Sequence, residues 1–124
     1  MDISIGNDIV NIKRIEAILK KTPEHFVNKL LTRQEIIEFE KRKFASLRVR
    51  ASYLAKRFAG KEAVAKALGT GFTNGLTLHS IEILKDKIGK PYVNILHKNF
   101  KHANISISLS DDYPFAEAVA VVYK

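Results

Sequence analysis

Hydrophobic and polar residues follow two different rhythms along this chain, and the change of rhythm predicts its architecture. Up to residue 68 the apolar residues recur mostly every three or four positions, which is typical of helices. From residue 80 onwards they alternate with polar residues, which is typical of half-buried strands. The pattern therefore predicts an α+β fold, with helices packed on one face of an antiparallel sheet.

The first half is predicted to begin with a short strand and to continue with helices. Gly6-Asn7-Asp8 is expected to end the strand, and Gly69 to stop the long final helix. Gly60 lies inside that helix, where glycine is unfavourable. It indicates that another backbone or a ligand approaches the helix closely there, or simply that neighbouring residues are tightly packed. The expected strand covers residues 2–6. The four expected helices cover 9–21, a short segment that begins at Pro23, a segment from the Thr32–Glu35 capping box to about Lys43, and a long segment from about Ser46 to 69.

The second half is predicted to consist of strands. A turn over 86–91 separates two of them and marks a hairpin. The strands are expected over 80–85, 92–96, 104–110 and 115–123. Ser106, Ser108 and Ser110 alternate along one strand, so we interpret them as its polar face and not as nucleophiles.

One carboxylate, Glu62, interrupts the apolar face of the long helix. The other members of that face are Ala51, Leu54, Ala55, Phe58 and Ala65. A carboxylate that faces a core is costly unless it is paired or binds a cation. The ordinary alternative is a surface ion pair with Lys66, four residues further on.

Asp8, just after the predicted first strand, is a second carboxylate suited to chemistry. With Glu62 it provides oxygen donors for Mg²⁺, which typically takes one or two protein carboxylates together with phosphate and water. Lys61 and Lys66 border Glu62 and would hold phosphate oxygens, an arrangement that suits phosphoryl transfer. The alternative is that Asp8 merely caps the next helix.

Composition and charge narrow the class of protein. The chain has 124 residues, no cysteine and a formal net charge of +8. Residues 1–68 hold 15 Lys/Arg and 8 Asp/Glu, a balance of +7, whereas residues 69–124 hold 6 and 5, a balance of +1. The basic half would attract nucleic acid, anionic lipid or an acidic protein. With no long apolar run and no signal-peptide pattern, one cytoplasmic domain over 1–124 is expected.

Several short segments carry a resemblance that covers essentially the whole chain. The specific ones are Gly6-Asn7-Asp8-Ile9-Val10 and Arg57-Phe58-Ala59-Gly60-Lys61-Glu62-Ala63 with Lys66-Ala67-Leu68-Gly69-Thr70-Gly71. The weaker ones are Leu31-Thr32-Arg33-Gln34-Glu35, Gly89-Lys90-Pro91 and Ile107-Ser108-Leu109-Ser110. In this order they resemble the holo-acyl-carrier-protein synthases, the small bacterial branch of the 4′-phosphopantetheinyl transferases.

This resemblance implies an activity and a set of site residues. The reaction would transfer 4′-phosphopantetheine from coenzyme A to a serine of apo-acyl carrier protein, release adenosine 3′,5′-bisphosphate and support fatty acid biosynthesis. The implied residues are Asp8 and Glu62 for Mg²⁺ and the coenzyme A pyrophosphate, Lys61 and Lys66 beside the phosphates, Arg57 near the 3′-phosphate, and Gly89, Lys90 and Pro91 at a turn bordering the nucleotide. The implied catalytic residues are Asp8, Glu62 and Lys66.

The resemblance also implies partners. The acyl carrier protein is small and acidic, and it would dock on the basic first helix. The implied docking residues are Lys13, Arg14, Lys20 and Lys21, with an apolar contact from Ile15, Ile18 or Leu19. The family forms a homotrimer with active sites between subunits.

A few positions depart from the family pattern. Asp111 stands where the family usually has a histidine near the coenzyme A phosphate, and an acid there would repel the anion unless a neighbouring lysine compensates. Gly60 stands where alanine is usual, and Asn7 where an apolar residue is usual. Two other classes of function compete with the transferase: a small basic nucleic-acid-binding module, and a protein without catalysis that only docks an acidic partner. Neither needs a carboxylate on the apolar helix face.

Overall fold

A 22-residue helix, Leu47–Leu68, forms the centre of the molecule and is buried on most of its sides. The computed structural model describes residues 2–73 and 75–123. In chain order its elements are β1 (Ile3–Asn11), α1 (Ile12–Lys21), α2 (Pro23–Leu30), α3 (Arg33–Glu40), α4 (Leu47–Leu68), a 3₁₀ turn (Leu78–Ser80), β2 (Ile81–Lys85), β3 (Pro91–Ile95), β4 (Asn104–Asp112) and β5 (Phe115–Tyr123). The predicted α+β class is confirmed.

The strands of the described residues form two antiparallel sheets around α4, where the alternating pattern had indicated one. β1, β5 and β4 form a three-stranded sheet in that order, and β2 pairs with β3 in a separate hairpin. The hairpin agrees with the prediction to within one residue at each strand end. On β5 the residues that face α4 are Ala116, Ala118 and Ala120, whose small side chains allow helix and sheet to approach closely.

The first strand is longer than predicted. β1 continues through Gly6-Asn7-Asp8 to Asn11, so the expected break there and the expected helix start at Ile9 are both wrong. All nine residues of β1 pair with β5, and this ladder outweighs the low strand propensity of Gly, Asn and Asp. Asn11 caps α1 by accepting a 2.9 Å hydrogen bond from the amide of Lys13, so Asp8 is not the cap.

The ends of α4 agree with the prediction. The Ser46 hydroxyl accepts a 3.2 Å hydrogen bond from the amide of Val49, and Gly69 takes the left-handed conformation with φ 84°. α3 ends at Glu40, before the expected end at Lys43. Among the described residues no helix combines the length and the apolar composition needed to cross a bilayer.

One face of the three-stranded sheet points away from α4 and carries exposed apolar side chains. Ile3, Ile5 and Ile9 of β1 are 59%, 67% and 61% exposed. Phe115 and Tyr123 of β5 lie on the same face. Ser106, Ser108 and Ser110 continue it on β4, in agreement with their interpretation as a polar strand face. We call this surface the outer sheet face.

Gly6 and Gly60 let neighbouring elements approach α4 closely. A Cβ atom at Gly6 would lie 2.1 Å from the carbonyl oxygen of Ala63 and 2.7 Å from the amide nitrogen of Ala67, both in the backbone of α4. A Cβ atom at Gly60 would lie 2.5 Å from Cδ1 of Ile83, which is the tip of a flexible side chain. The close approach at Gly60 therefore comes from packed side chains.

We expect Gly6→Ala to destabilise the protein far more than Gly60→Ala. The first substitution should lower the free energy of unfolding by about 3 kcal/mol, the upper end of overpacking costs, because helix backbone cannot yield. At Gly60 a gain in helix propensity of about 1 kcal/mol offsets much of the cost of displacing Ile83. Urea unfolding followed by circular dichroism measures both values, and equal losses would contradict the prediction.

Candidate active site

Asp8, Glu62 and Lys66 come together where β1 crosses the second half of α4. The Lys66 ammonium donates hydrogen bonds to Oδ1 of Asp8 at 3.2 Å and to the carbonyl oxygen of Asn7 at 2.8 Å. The ion pair of Lys66 is thus with Asp8 and not with Glu62. Because Gly6 allows β1 to touch α4, Asp8 two residues later lies beside the helical turn that carries Glu62.

The half-buried carboxyl group of Glu62 has a pKa above its ordinary value. Burial is the main cause, the negative charge of Asp8 adds to it, and Lys66 partly offsets both. The fold thus holds two carboxylates close enough to repel each other. In the described part of the chain no group of three or more His, Cys, Asp or Glu side chains is arranged to bind a metal. Two carboxylates would leave further coordination positions for phosphate and water, as Mg²⁺ prefers.

Lys61 points into the core and does not join this cluster. Its ammonium donates hydrogen bonds to Oε1 of Glu35 at 2.6 Å and to the carbonyl oxygens of Leu30 at 2.6 Å and Leu78 at 3.0 Å. Adjacent helix residues point about 100° apart, so Lys61 and Glu62 face different surroundings. Since all three ammonium protons are used in the core, the prediction that Lys61 holds phosphate is wrong.

The buried Glu35 carboxylate joins three elements. Besides Lys61, it accepts hydrogen bonds from the amides of Thr32 and Ile83, both at 2.9 Å. The Thr32 contact completes the predicted capping box, and the Ile83 contact ties α3 to β2. Sequence reasoning missed the ion pair because Lys61 and Glu35 are 26 residues apart and no local pattern connects them.

Arg57 lies in a second site, on a different side of α4 from Glu62. Five residues along a helix correspond to a rotation of about 140°. Arg57 is only 2% exposed, and its guanidinium lies 4.2 Å from the ring centre of Tyr53. Burial lowers its pKa, and its Nε atom has no hydrogen-bond partner among the described residues. Arg57 is therefore a buried cation that is available to an anion.

A cavity of about 320 Å³, here called the cationic cavity, surrounds Arg57. Of the described residues, the cations that line it are Arg42, Arg48, Lys56, Arg57 and Lys85. The pKa of Lys85 is lowered by burial and by the positive charges of Arg57, Lys56 and Arg42. Such crowding of like charges suits a phosphate-bearing ligand, because an anion would relieve the repulsion. Sequence reasoning found only Arg57, since Arg42 and Lys85 lie on other segments and no local pattern distinguishes Arg48 and Lys56 from ordinary surface cations of α4.

The predicted nucleotide turn lies at the exposed tip of the β2–β3 hairpin. Gly89 has φ 88°, and Oδ1 of Asp86 accepts hydrogen bonds from the amides of Ile88 at 3.0 Å and Lys90 at 2.9 Å. Gly89, Lys90 and Pro91 do not line the cationic cavity. Asp86 lines an adjoining cavity of about 380 Å³ that shares Arg57, so the turn begins at the edge of this site.

The basic side chains of α1 are exposed to a partner, but most of the apolar side chains predicted to contact that partner are buried. The exposed basic residues are Lys13, Arg14, Lys20 and Lys21. Ile15 and Leu19 are 4% and 7% exposed because they pack into the core, so the predicted contact through them is wrong. Ile18 is half-buried and still reaches the surface. α1 directly follows β1, the strand that carries Asp8.

Comparison with known proteins decides the family. A family model described as the 4′-phosphopantetheinyl transferase superfamily matches residues 4–119. The chain belongs to this superfamily. The resemblance that its motifs carry is therefore confirmed.

Relatives of this transferase agree in sequence and in fold. A holo-acyl-carrier-protein synthase of Orientia tsutsugamushi (strain Ikeda) is 45% identical over 130 residues, which cover 98% of this chain and 97% of the relative. The crystal structure of such a synthase from Neisseria meningitidis matches with a TM-score of 0.86 and 37% identity over 98% of both chains. A synthase of Bacillus anthracis, solved in complex with CoA (3′,5′-ADP), matches with a TM-score of 0.81 and 32% identity over 96% of this chain and 94% of that one.

In the absence of divalent cations, Glu62→Gln is expected to stabilise the protein at neutral pH. The raised pKa means that the folded state binds more protons than the unfolded state between the two pKa values, so the free energy of unfolding falls as pH rises through that window. The Glu62→Gln variant has no carboxyl group at this position, so its free energy of unfolding does not fall in this way as pH rises.

Urea unfolding in the presence of a chelator, from below the ordinary carboxyl pKa to neutral pH, measures the effect. The stability gap between variant and wild type should grow with pH and then level off. Glu40→Gln, at an exposed position at the end of α3, is the control. A gap that stays constant or shrinks with rising pH would show that Glu62 is not destabilised by its surroundings.

Proposed function

We propose that this chain transfers the 4′-phosphopantetheine group of coenzyme A to a serine of apo-acyl carrier protein, in support of fatty acid biosynthesis. The serine oxygen forms a bond to the phosphorus that bears pantetheine, the bond from that phosphorus to the bridging oxygen breaks, and adenosine 3′,5′-bisphosphate leaves. The observation that carries the proposal is the Asp8–Glu62 pair in a chain that also forms a cationic cavity. A pyrophosphate-bearing nucleotide needs both kinds of group.

Asp8 and Glu62 would hold Mg²⁺. The residues fit this ion because they offer hard oxygen donors and because burial, together with the charge of Asp8, disfavours ionised Glu62 unless a cation is bound. When bound, the ion would offset negative charge on the reacting phosphate. Lys66 orients Asp8 through their ion pair, and its half-exposed side chain keeps a third ammonium proton for a phosphate oxygen.

The basic side of α1 would dock the acidic carrier protein. Its exposed lysines and arginine lie on the helix that follows β1, so a docked carrier would present its serine near the carboxylate pair. Such peripheral charges mainly raise the association rate and make it salt-dependent. Ile18 supplies the remaining apolar contact.

The complete site would form between subunits of a homotrimer. Glu62 and Arg57 point about 140° apart on α4, so the carboxylate pair and the cationic cavity open on different sides of one chain. A neighbouring subunit can bring its cationic cavity to the carboxylate pair. The outer sheet face supports this assembly, because its exposed isoleucines would be covered by another subunit.

We expect a phosphopantetheine adduct on apo-acyl carrier protein after incubation with this protein, coenzyme A and Mg²⁺, and none with excess chelator. Glu62→Gln and Asp8→Asn should each lower the rate by about 100-fold or more, since each removes a charge placed for the phosphate. Intact-protein mass spectrometry measures the adduct, and circular dichroism checks the fold.

The exposed-site variant Glu40→Gln should keep the wild-type rate. Full activity of either carboxylate variant, or an adduct that forms equally well in chelator, would overturn the proposed roles. If no carrier protein is modified and the protein instead binds nucleic acid with a steep salt dependence that ignores Mg²⁺, the basic binding module becomes the better account.

We expect two inactive variants to restore each other's activity when their subunits mix. Glu62→Gln damages the carboxylate pair and Arg57→Met the cationic cavity, so a hybrid assembly contains some sites built from two undamaged halves. Random mixing in equal amounts gives about one quarter of intact sites, because each site takes one half from each of two subunits.

Mixing Glu62→Gln with Asp8→Asn is the matched control, since both damage the same half and no intact site can form. Light scattering with size-exclusion chromatography measures the assembly. A monomer, or mixed trimers that stay inactive in both experiments, would show that the site does not form between subunits.

A further inference from the structure

Asp111 is a carboxylate set among the cations of the cationic cavity. Of the described residues that line this cavity, it is the one that carries negative charge. Its Oδ1 accepts a 3.2 Å hydrogen bond from the Lys56 ammonium, and its Oδ2 accepts one at 2.9 Å from the Ser52 hydroxyl. Both carboxylate oxygens are thus engaged by α4.

The register of β4 fixes this placement. Alternate residues of β4 face α4, among them the buried Ile107, and Asp111 is the last position of that series. β4 runs on to Asp112, two residues beyond the predicted strand end at residue 110. The longer strand therefore presses Asp111 against α4 and turns Asp112 to the opposite face.

Asp111 is charged in this setting. Burial alone would raise its pKa, but the hydrogen bonds from Ser52 and Lys56 outweigh burial and hold the pKa below its ordinary value. The Asp111 and Lys56 side chains are 38% and 25% exposed, so the pair lies in the wall of the cavity and not in the core. An incoming phosphate would meet a lysine whose charge is already neutralised.

We propose that Asp111 sets the anion affinity of the cationic cavity by holding Lys56 away from the ligand. The remaining cations, Arg42, Arg48, Arg57 and Lys85, are then the ones offered to a phosphate. This inference rests on the proposed function, in which the anion is the 3′,5′-bisphosphorylated nucleotide end of coenzyme A.

A reduced hold on the nucleotide has a use in turnover. The product adenosine 3′,5′-bisphosphate keeps the 3′-phosphate and the adenosine-bound 5′-phosphate of the substrate, so the cavity contacts that hold coenzyme A also hold the product. Stronger contacts would therefore slow product release, a step that limits many enzymes. Asp111 therefore leaves the cavity enough positive charge to bind coenzyme A, but not so much that the nucleotide product dissociates slowly.

The test is the affinity for adenosine 3′,5′-bisphosphate, measured by titration calorimetry on the assembled protein at low and moderate salt. Asp111→Asn preserves the side-chain shape and frees Lys56, so it should bind the nucleotide about tenfold more tightly, with a gain that shrinks as salt rises. In steady-state assays the same variant should show a lower KM for coenzyme A and a lower kcat. Adding Lys56→Met to Asp111→Asn should remove most of the gain in affinity.

Glu40→Gln is the matched control, because it changes the net charge equally at an exposed position outside the cavity; it should leave the affinity unchanged. Unchanged or weaker binding by Asp111→Asn would overturn the inference and show that Asp111 only supports structure or contacts the ligand directly. Arg57→Met separates the two proposals. If it loses binding while Asp111→Asn matches wild type, only the role of Asp111 fails. If wild type does not bind the nucleotide at all, the proposed function fails with it.

Discussion

The buried ion pair between Lys61 and Glu35 is the interaction on which the rest of this structure depends. Both side chains are fully shielded from solvent. The Lys61 ammonium also donates to backbone carbonyl oxygens, and the Glu35 carboxylate also accepts from backbone amides. Burial lowers the pKa of Lys61, and the charge of Glu35 counteracts that effect. Loss of one partner from such a pair typically costs about 3–5 kcal/mol, because a charge is then left buried and unpaired.

The ion pair also fixes the rotation of α4 about its own axis. With Lys61 held toward α3 and β2, the next residue, Glu62, must face β1, and Arg57, one turn earlier, must face the region beside the hairpin. Gly6 sets the distance between β1 and α4, so Asp8 lies within range of Glu62. A motif that looks like a run of catalytic residues is therefore one buried structural lysine flanked by groups that face two different surroundings.

Local patterns in the sequence predicted what is encoded locally. The capping box at Thr32, the helix stop at Gly69 and the β2–β3 hairpin depend on residues a few positions apart, and all agree with the structure. The extension of β1 through Gly6-Asn7-Asp8 was missed because pairing with the far end of the chain overrides a local break signal. Lys61 was misjudged for the same reason: its partner is distant in sequence, and helical spacing alone cannot tell a buried lysine from one at the rim of a site.

Opposite charges are kept apart across α4, and the ion pairs of Asp8 with Lys66 and of Asp111 with Lys56 offset the like-charge repulsion of each group only in part. On one side burial and the charge of Asp8 raise the pKa of Glu62, and on the other burial and the charges of Arg57, Lys56 and Arg42 lower the pKa of Lys85. A cation bound with a nucleotide pyrophosphate would relieve both groups at once, since it brings positive charge to the carboxylates and negative charge to the cavity. Charge fixed in place before the ligand arrives needs no reorganisation during the reaction, which is the form of electrostatic stabilisation that most favours phosphoryl transfer. The cost is repulsion within each group of like charges, and the ion pair of Lys61 with Glu35 fixes the orientation of α4 between the two groups.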